Sequence, residues 1–201
     1  PHKNESEYIE FLGRLQPASG LAQEWEQLFL PYELAFLQGH RVGWVPLLPG
    51  TCYIELARAM VCATRGKRVF TLSKTEFENI LFLDDTDIRG APSLRLRHEP
   101  ASGAIGIFSR QSGTAWINNA SMVLQLREAS ESAALRLSED SLPGRGAQYV
   151  TGERFYRETG NDYRGEFRTM AEAWNLQAEG VLSRVVYKQN ESEHVPLRTC
   201  A

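Results

Sequence analysis

The chain has 201 residues, with 22 basic and 25 acidic side chains and a net charge of -3. That length holds one well-buried core, or one domain and part of another. The near-neutral balance gives no electrostatic case for nucleic acid as a partner, and no apolar run is long enough to span a bilayer. The first twenty residues include charged and polar positions throughout and lack an apolar signal core, which predicts a cytoplasmic protein. Cys52, Cys62 and Cys200 show no CxxC or Cys/His ligand spacing, so buried free thiols are expected and no metal site.

In chain order, Gln27 to Leu30 reads as a strand stopped by Pro31, and Tyr32 to Leu37 as a short apolar segment of open type. His40 follows, shortly before a Pro49-Gly50 break and an apolar helical run. That layout aims an imidazole at the mouth of a buried slot, although a structural histidine beside a turn fits the same residues. From Thr51 the pattern takes a helical period: Tyr53, Leu56, Ala57, Met60, Val61 and Thr64 share one face. Thr51 is the expected cap and Arg65-Gly66-Lys67 the stop. Small or apolar residues on the remaining faces predict a helix enclosed by sheet.

Five strand-like stretches follow, Arg68 to Leu72, Thr75 to Leu83, Ser93 to Arg97, Ala104 to Ser109 and Thr114 to Leu126. Leu94, Leu96 and His98 alternate with Arg95 and Arg97, the period of a half-buried strand, which places His98 on a strand rather than in a reaction centre. Asp84, Asp85 and Asp87 read as a solvated turn. Strands that follow one helix without further helices between them are an antiparallel α+β arrangement. Ser138 to Gly146 is the clearest linker, in a stretch rich in Ser, Glu, Gly and Pro. Thr151 is placed to cap a short helix ending at Gly160, Asn161 to Gly165 is loop, Phe167 to Trp174 is open, and Gly180 to Tyr187 reads as strand. Phe155, Tyr156 and Tyr163 are expected to anchor this second unit. The organisation predicted is a leader or linker at 1–20, a first subdomain at 21–135, a linker at 136–148, and the beginning of a second subdomain at 149–201.

The His40 segment, the enclosed helix, the Trp116-Ile117-Asn118-Asn119-Ala120 strand and the run from Gly152 to Phe167 together resemble the dehydratase domain of modular polyketide synthases and animal-type fatty acid synthases. The resemblance implies a double hotdog, two long helices each wrapped by antiparallel sheet, with the first hotdog complete here and the second only partly present. The family motif sets a glycine four residues and a proline nine residues after its histidine. His40 and Pro49 match, and Gly50-Thr51-Cys52-Tyr53-Ile54-Glu55-Leu56-Ala57 continues the pattern, but Trp44 holds the glycine's position and Gly43 stands one before it. An indole there narrows the slot, shifts the turn or forms a divergent wall.

The resemblance implies dehydration of a 3-hydroxyacyl thioester to a 2-enoyl thioester, with His40 as catalytic histidine. It takes the C2 proton while an acid protonates the leaving C3 hydroxyl. Pro49 and Gly50 shape the slot, Trp44 and Tyr53 bound it, with core packing as the other reading for Tyr53, and backbone N–H groups at the helix start stabilise the enolate. The family's acid is an aspartate in a Leu-Asp-Ala context. His194 to Ala201 looks like the approach to that segment, and the sequence ends before the acid, so this form is expected to be inactive. The further implications are no directly bound cofactor, an acyl chain carried on the phosphopantetheine of an acyl carrier protein, and a place among other domains of a dimeric megasynthase. Arg41 is a candidate for the pantetheine phosphate, with a solvated surface role as the other reading. The competing functions are a non-catalytic hotdog scaffold and a related isomerase or cyclase on carrier-bound chains; a single-hotdog thioesterase fits less well.

Overall fold

The computed structural model describes residues 8–9, 12–17, 20–29, 35–66, 69–83, 91–111, 113–127, 149–175 and 181–186. The Asp84 to Asp87 turn, the 136–148 linker and the tail from His194 lie outside the described residues. Strands β1 (Tyr8–Ile9), β2 (Gly13–Leu15) and β3 (Gln23–Leu28) come first, then a two-stranded hairpin of β4 (Arg41–Val42) and β5 (Val45–Pro46), then helix α1 (Gly50–Arg65). Strands β6 (Val69–Phe77), β7 (Ser93–Glu99), β8 (Ala104–Arg110) and β9 (Ile117–Arg127) follow. They form one antiparallel seven-stranded sheet in the order β1-β2-β3-β7-β8-β9-β6. Thus β1 and β2, within the stretch read as leader or linker, pair into this sheet.

The helix is held by the face its sequence marks. Tyr53, Leu56, Ala57, Met60 and Val61 are buried, in one cluster with Trp25 of β3, Leu94 and Leu96 of β7, Ile105 and Ile107 of β8, and Met122 of β9. At about 25 cal/mol per Å² of apolar surface, this cluster is the main source of stability. On the opposite face of β3 and β7 stand Glu24, Glu26, Arg95 and Arg97. Glu26 pairs with Arg95 at 3.0 Å, and the guanidinium groups of Arg95 and Arg110 lie 4.1 and 4.5 Å from the Trp116 ring centroid.

Three local readings are corrected. The helix begins at Gly50 with Pro49 at its N-cap and no side-chain cap, and Thr51 lies exposed inside the first turn. Strand β3 starts at Gln23, because Glu24 and Glu26 sit opposite Arg97 and Arg95 while Trp25 turns into the core. The stretches Arg68 to Leu72 and Thr75 to Leu83 are one strand that ends at Phe77. Its register against β9 shifts between Ser73 and Glu76, where Lys74 takes a φ of +50°.

The second unit comprises β10 (Tyr149–Thr151), helix α2 (Gly152–Glu158), β11 (Met170–Asn175) and β12 (Val181–Val185), in a sheet ordered β10-β11-β12. Thr151 caps α2, its hydroxyl accepting from the Arg154 N–H at 3.3 Å. Tyr156 secures the following loop, donating to the Phe167 carbonyl at 3.3 Å and accepting from the Met170 N–H at 2.9 Å. The architecture is an α+β double hotdog, with a long helix wrapped by the first sheet and only part of a second hotdog after it.

Candidate functional site

His40 sits between a 3₁₀ turn (Ala35–Gly39) and β4, and its main chain is tied at both ends. Its N–H donates to the Leu37 carbonyl and its carbonyl accepts from the Leu47 N–H, each at 3.0 Å. The Leu47 carbonyl lies 3.0 Å from Nδ1. A carbonyl only accepts, so Nδ1 carries the proton and Nε2 holds the free lone pair. Burial lowers the imidazole pKa below its ordinary value, partly opposed by the bond to Leu47. The ring is therefore neutral near pH 7, the state a proton acceptor needs.

The hairpin that presents His40 turns through Gly43 and Trp44, both with positive φ, +54° and +72°. Two such residues between paired strands are the type I′ pattern. The resemblance sets a glycine at the Trp44 position, and the backbone shows why: the left-handed conformation costs an L-residue about 1–2 kcal/mol. Trp44 is 72% exposed at the hairpin tip. Arg41 is engaged by the protein. Its guanidinium donates to the carbonyls of Gln38, at 3.4 Å, and Trp44, and its Nε lies 3.8 Å from the Asp162 carboxylate.

At the start of α1, Pro49 is buried with a φ of -61°. A Cβ on Gly50 would stand 3.1–3.3 Å from the Phe77 ring, so only glycine fits there without displacing that ring. The Cys52 N–H returns to the Pro49 carbonyl at 2.9 Å, while Gly50 and Thr51 precede the first intrahelical donors. Tyr53 is buried beside Phe77, ring centroids 6.1 Å apart. Its hydroxyl lies near the Leu81 backbone without a well-formed hydrogen bond, and burial pushes its pKa up. Burial, with the nearby Glu55 carboxylate, pushes the Cys52 thiol up to about 12, which leaves it protonated and inert. His98 is 2% exposed on the inner face of β7, with Nδ1 3.3 Å from the Gln23 side chain.

The residues sequence reasoning missed are those that cover His40. Tyr163 stacks on the imidazole at 5.0 Å and Phe167 tilts against it at 5.2 Å. Both come from the loop after α2. The Arg164 N–H donates to the Gly39 carbonyl at 2.9 Å, and Asn161 forms a β-bridge with Val42. The available signal was a pair of aromatics around two glycines, Gly160 and Gly165, that take positive φ. Among the described residues His40 has no carboxylate partner, no cluster of His, Cys, Asp and Glu suits a metal ion, and no helix is long and apolar enough to cross a membrane.

Residues 11–110 match the family model described as the polyketide synthase dehydratase domain. Among solved structures, the dehydratase domain from the CurF module of curacin polyketide synthase aligns with a TM-score of 0.74 at 19% identity, covering 88% of this chain and 65% of that one. The CurK dehydratase of the same synthase aligns at 0.70 and 19% identity, over 88% of this chain and 63% of that one. Inactive CurK variants carry a single His-to-Phe or Asp-to-Asn replacement. A dehydratase domain of a mycocerosic acid synthase-like polyketide synthase aligns at 0.69 and 22% identity, over 87% and 61%. The chain thus spans less than two thirds of each of these structures. No curated protein matches it in sequence.

Proposed function

We infer, from a chain whose residues 11–110 match the polyketide synthase dehydratase family model, that it is a hotdog module carrying the histidine half of a dehydration site. The observation that carries this is His40. Its Nδ1–H is pinned on Leu47, Nε2 is free, and no described carboxylate reaches it. Asp162, brought close by the second unit, is already bound to Arg41 and Arg164.

In this reading Nε2 takes the C2 proton of a 3-hydroxyacyl thioester. Electron density moves onto the thioester oxygen, which in this reading the first N–H groups of α1, at Gly50 and Thr51, stabilise. Pro49, Gly50 and Tyr53 shape the slot, and Trp44 stands at its rim. The C3 hydroxyl leaves as water only when an acid protonates it, and two carboxylate-inactivated or histidine-inactivated forms of the CurK dehydratase fit a two-group site. In this reading the acid belongs to the second hotdog, and the acyl chain is delivered on the phosphopantetheine of an acyl carrier protein within a dimeric synthase.

The test supplies this chain with a 3-hydroxyacyl thioester and follows loss of water by mass spectrometry. The chain alone yields no 2-enoyl product. A version extended through the rest of the second hotdog dehydrates, and its His40→Phe variant is slower by roughly 10²- to 10⁴-fold. Dehydration by the chain alone, or near-normal turnover by the His40→Phe variant, refutes the assignment. Migration of the double bond in a 2-enoyl thioester supplied in its place, with no water lost from the 3-hydroxyacyl thioester, reassigns the module as an isomerase.

A further inference from the structure

We propose that Arg41 and Asp162 are positioning residues that clamp the 161–167 loop onto the β4–β5 hairpin and so hold Tyr163 over the His40 ring. The proposal rests on His40 as the base, but its geometry is independent of that role. Arg41 follows His40 in sequence, and Asp162 precedes Tyr163. Each member of the ion pair is therefore the chain neighbour of one member of the ring stack. Arg41 reaches both sides of the histidine, taking the Gln38 carbonyl two residues before it and the Trp44 carbonyl at the turn. Its Nε is buried, has no hydrogen-bond partner, and faces Asp162 at 3.8 Å. Asp162 also receives Arg164, whose N–H is bonded to Gly39, immediately before His40. The side chains of the pair are only 21% and 26% exposed, which protects it from the screening that weakens open surface pairs.

This arrangement assigns Arg41 a duty inside the protein. Two of its five N–H donors are given to main-chain carbonyls and a third faces the Asp162 carboxylate. It also makes the cover over His40 conditional on an ion pair, since Tyr163 and Phe167 come from a separate unit. The charged groups facing the hairpin here are Arg41, Asp162 and Arg164.

The experiment is an NMR titration of the His40 imidazole in this chain, in the native form and in the Asp162→Asn, Arg41→Gln and Arg41→Lys variants. Charge alone predicts opposite effects. Loss of the carboxylate would lower the histidine pKa and loss of the guanidinium would raise it. A clamp predicts the same direction for both, because either loss lets Tyr163 swing away and hydrates the ring. The expected result is an upward shift of about half a unit or more in both neutralised variants, with loss of the His40–Tyr163 nuclear Overhauser contact. Arg41→Lys keeps the charge but not the three-way reach, and should also lose that contact. Shifts of opposite sign, or a contact that survives in all variants, overturn the proposal. The amide dispersion of the large sheet reports that each variant is folded. No substrate is present, so a failed clamp is distinguishable from a failed assignment of the base.

Discussion

Replacing Gly39 by alanine tests how closely the second unit docks on the histidine hairpin. A Cβ at Gly39 would lie 2.4 Å from the Arg164 carbonyl oxygen and 3.3 Å from Phe167 Cδ2. The φ of Gly39 is outside the left-handed region, so alanine suits the backbone and the effect isolates this one contact. Relief requires the 164–167 loop to retreat by about 1 Å, which stretches the 2.9 Å bond from the Arg164 N–H beyond hydrogen-bonding range. That bond contributes about 0.5–1.5 kcal/mol, and the two ring contacts on His40 about as much each. The expected loss is about 2–4 kcal/mol of docking free energy, roughly 30- to 700-fold in the docked fraction. Native-state hydrogen exchange reads it directly. Protection of the Arg164 amide should fall by that factor while amides of β7 and β8 hold theirs. Equal protection of Arg164 in both proteins would show that the loop is not held by this approach.

Two further perturbations probe the first subdomain. Ile107→Ala removes a fully buried side chain beneath α1 and should destabilise the folded state by about 2–5 kcal/mol, read as a lower denaturant midpoint; an unmoved midpoint would place the core elsewhere. His40 and His98 both have folded-state pKa values lowered by burial, with Arg65 adding to the effect at His98. For a base held neutral, that stability is complete above the ordinary histidine value near 6.5 and is lost as pH falls through it toward the folded-state values. The melting temperature should therefore drop on acidification from about pH 7.5 to 5. His98→Gln should flatten the dependence, and an unchanged slope would remove His98 from the account.

Where burial follows sequence period, the fold was legible. Helix α1 and strand β7 were readable because Tyr53, Leu56, Ala57, Met60 and Val61, and Leu94, Leu96 and His98, all face one interior. Strand β3 was not, because its outward residues are Glu24 and Glu26, whose partners lie some seventy residues on in β7. Thr51 looked like a cap by residue type, yet Pro49 had already set the turn. At the site, the hairpin histidine and the Pro49-Gly50 helix start could be read locally. The rings over His40 could not. Tyr163 and Phe167 reach it through backbone contacts of Gly39 and Val42 that leave no local pattern.

The kink at Lys74 bears on a hazard that does not involve catalysis. Among the described strands β6 ends the large sheet on one side, and a long straight border of unpaired N–H and C=O groups invites other chains to stack there as fibrils. The left-handed step at Lys74 and the slipped register beside it break that border into two short runs and set a charged side chain at the break. At the opposite border β1 is only two residues long. A sheet so bounded stays a poor template for aggregation, and straightening β6 by deleting the extra residue would be expected to shorten the lag before turbidity develops in concentrated solution.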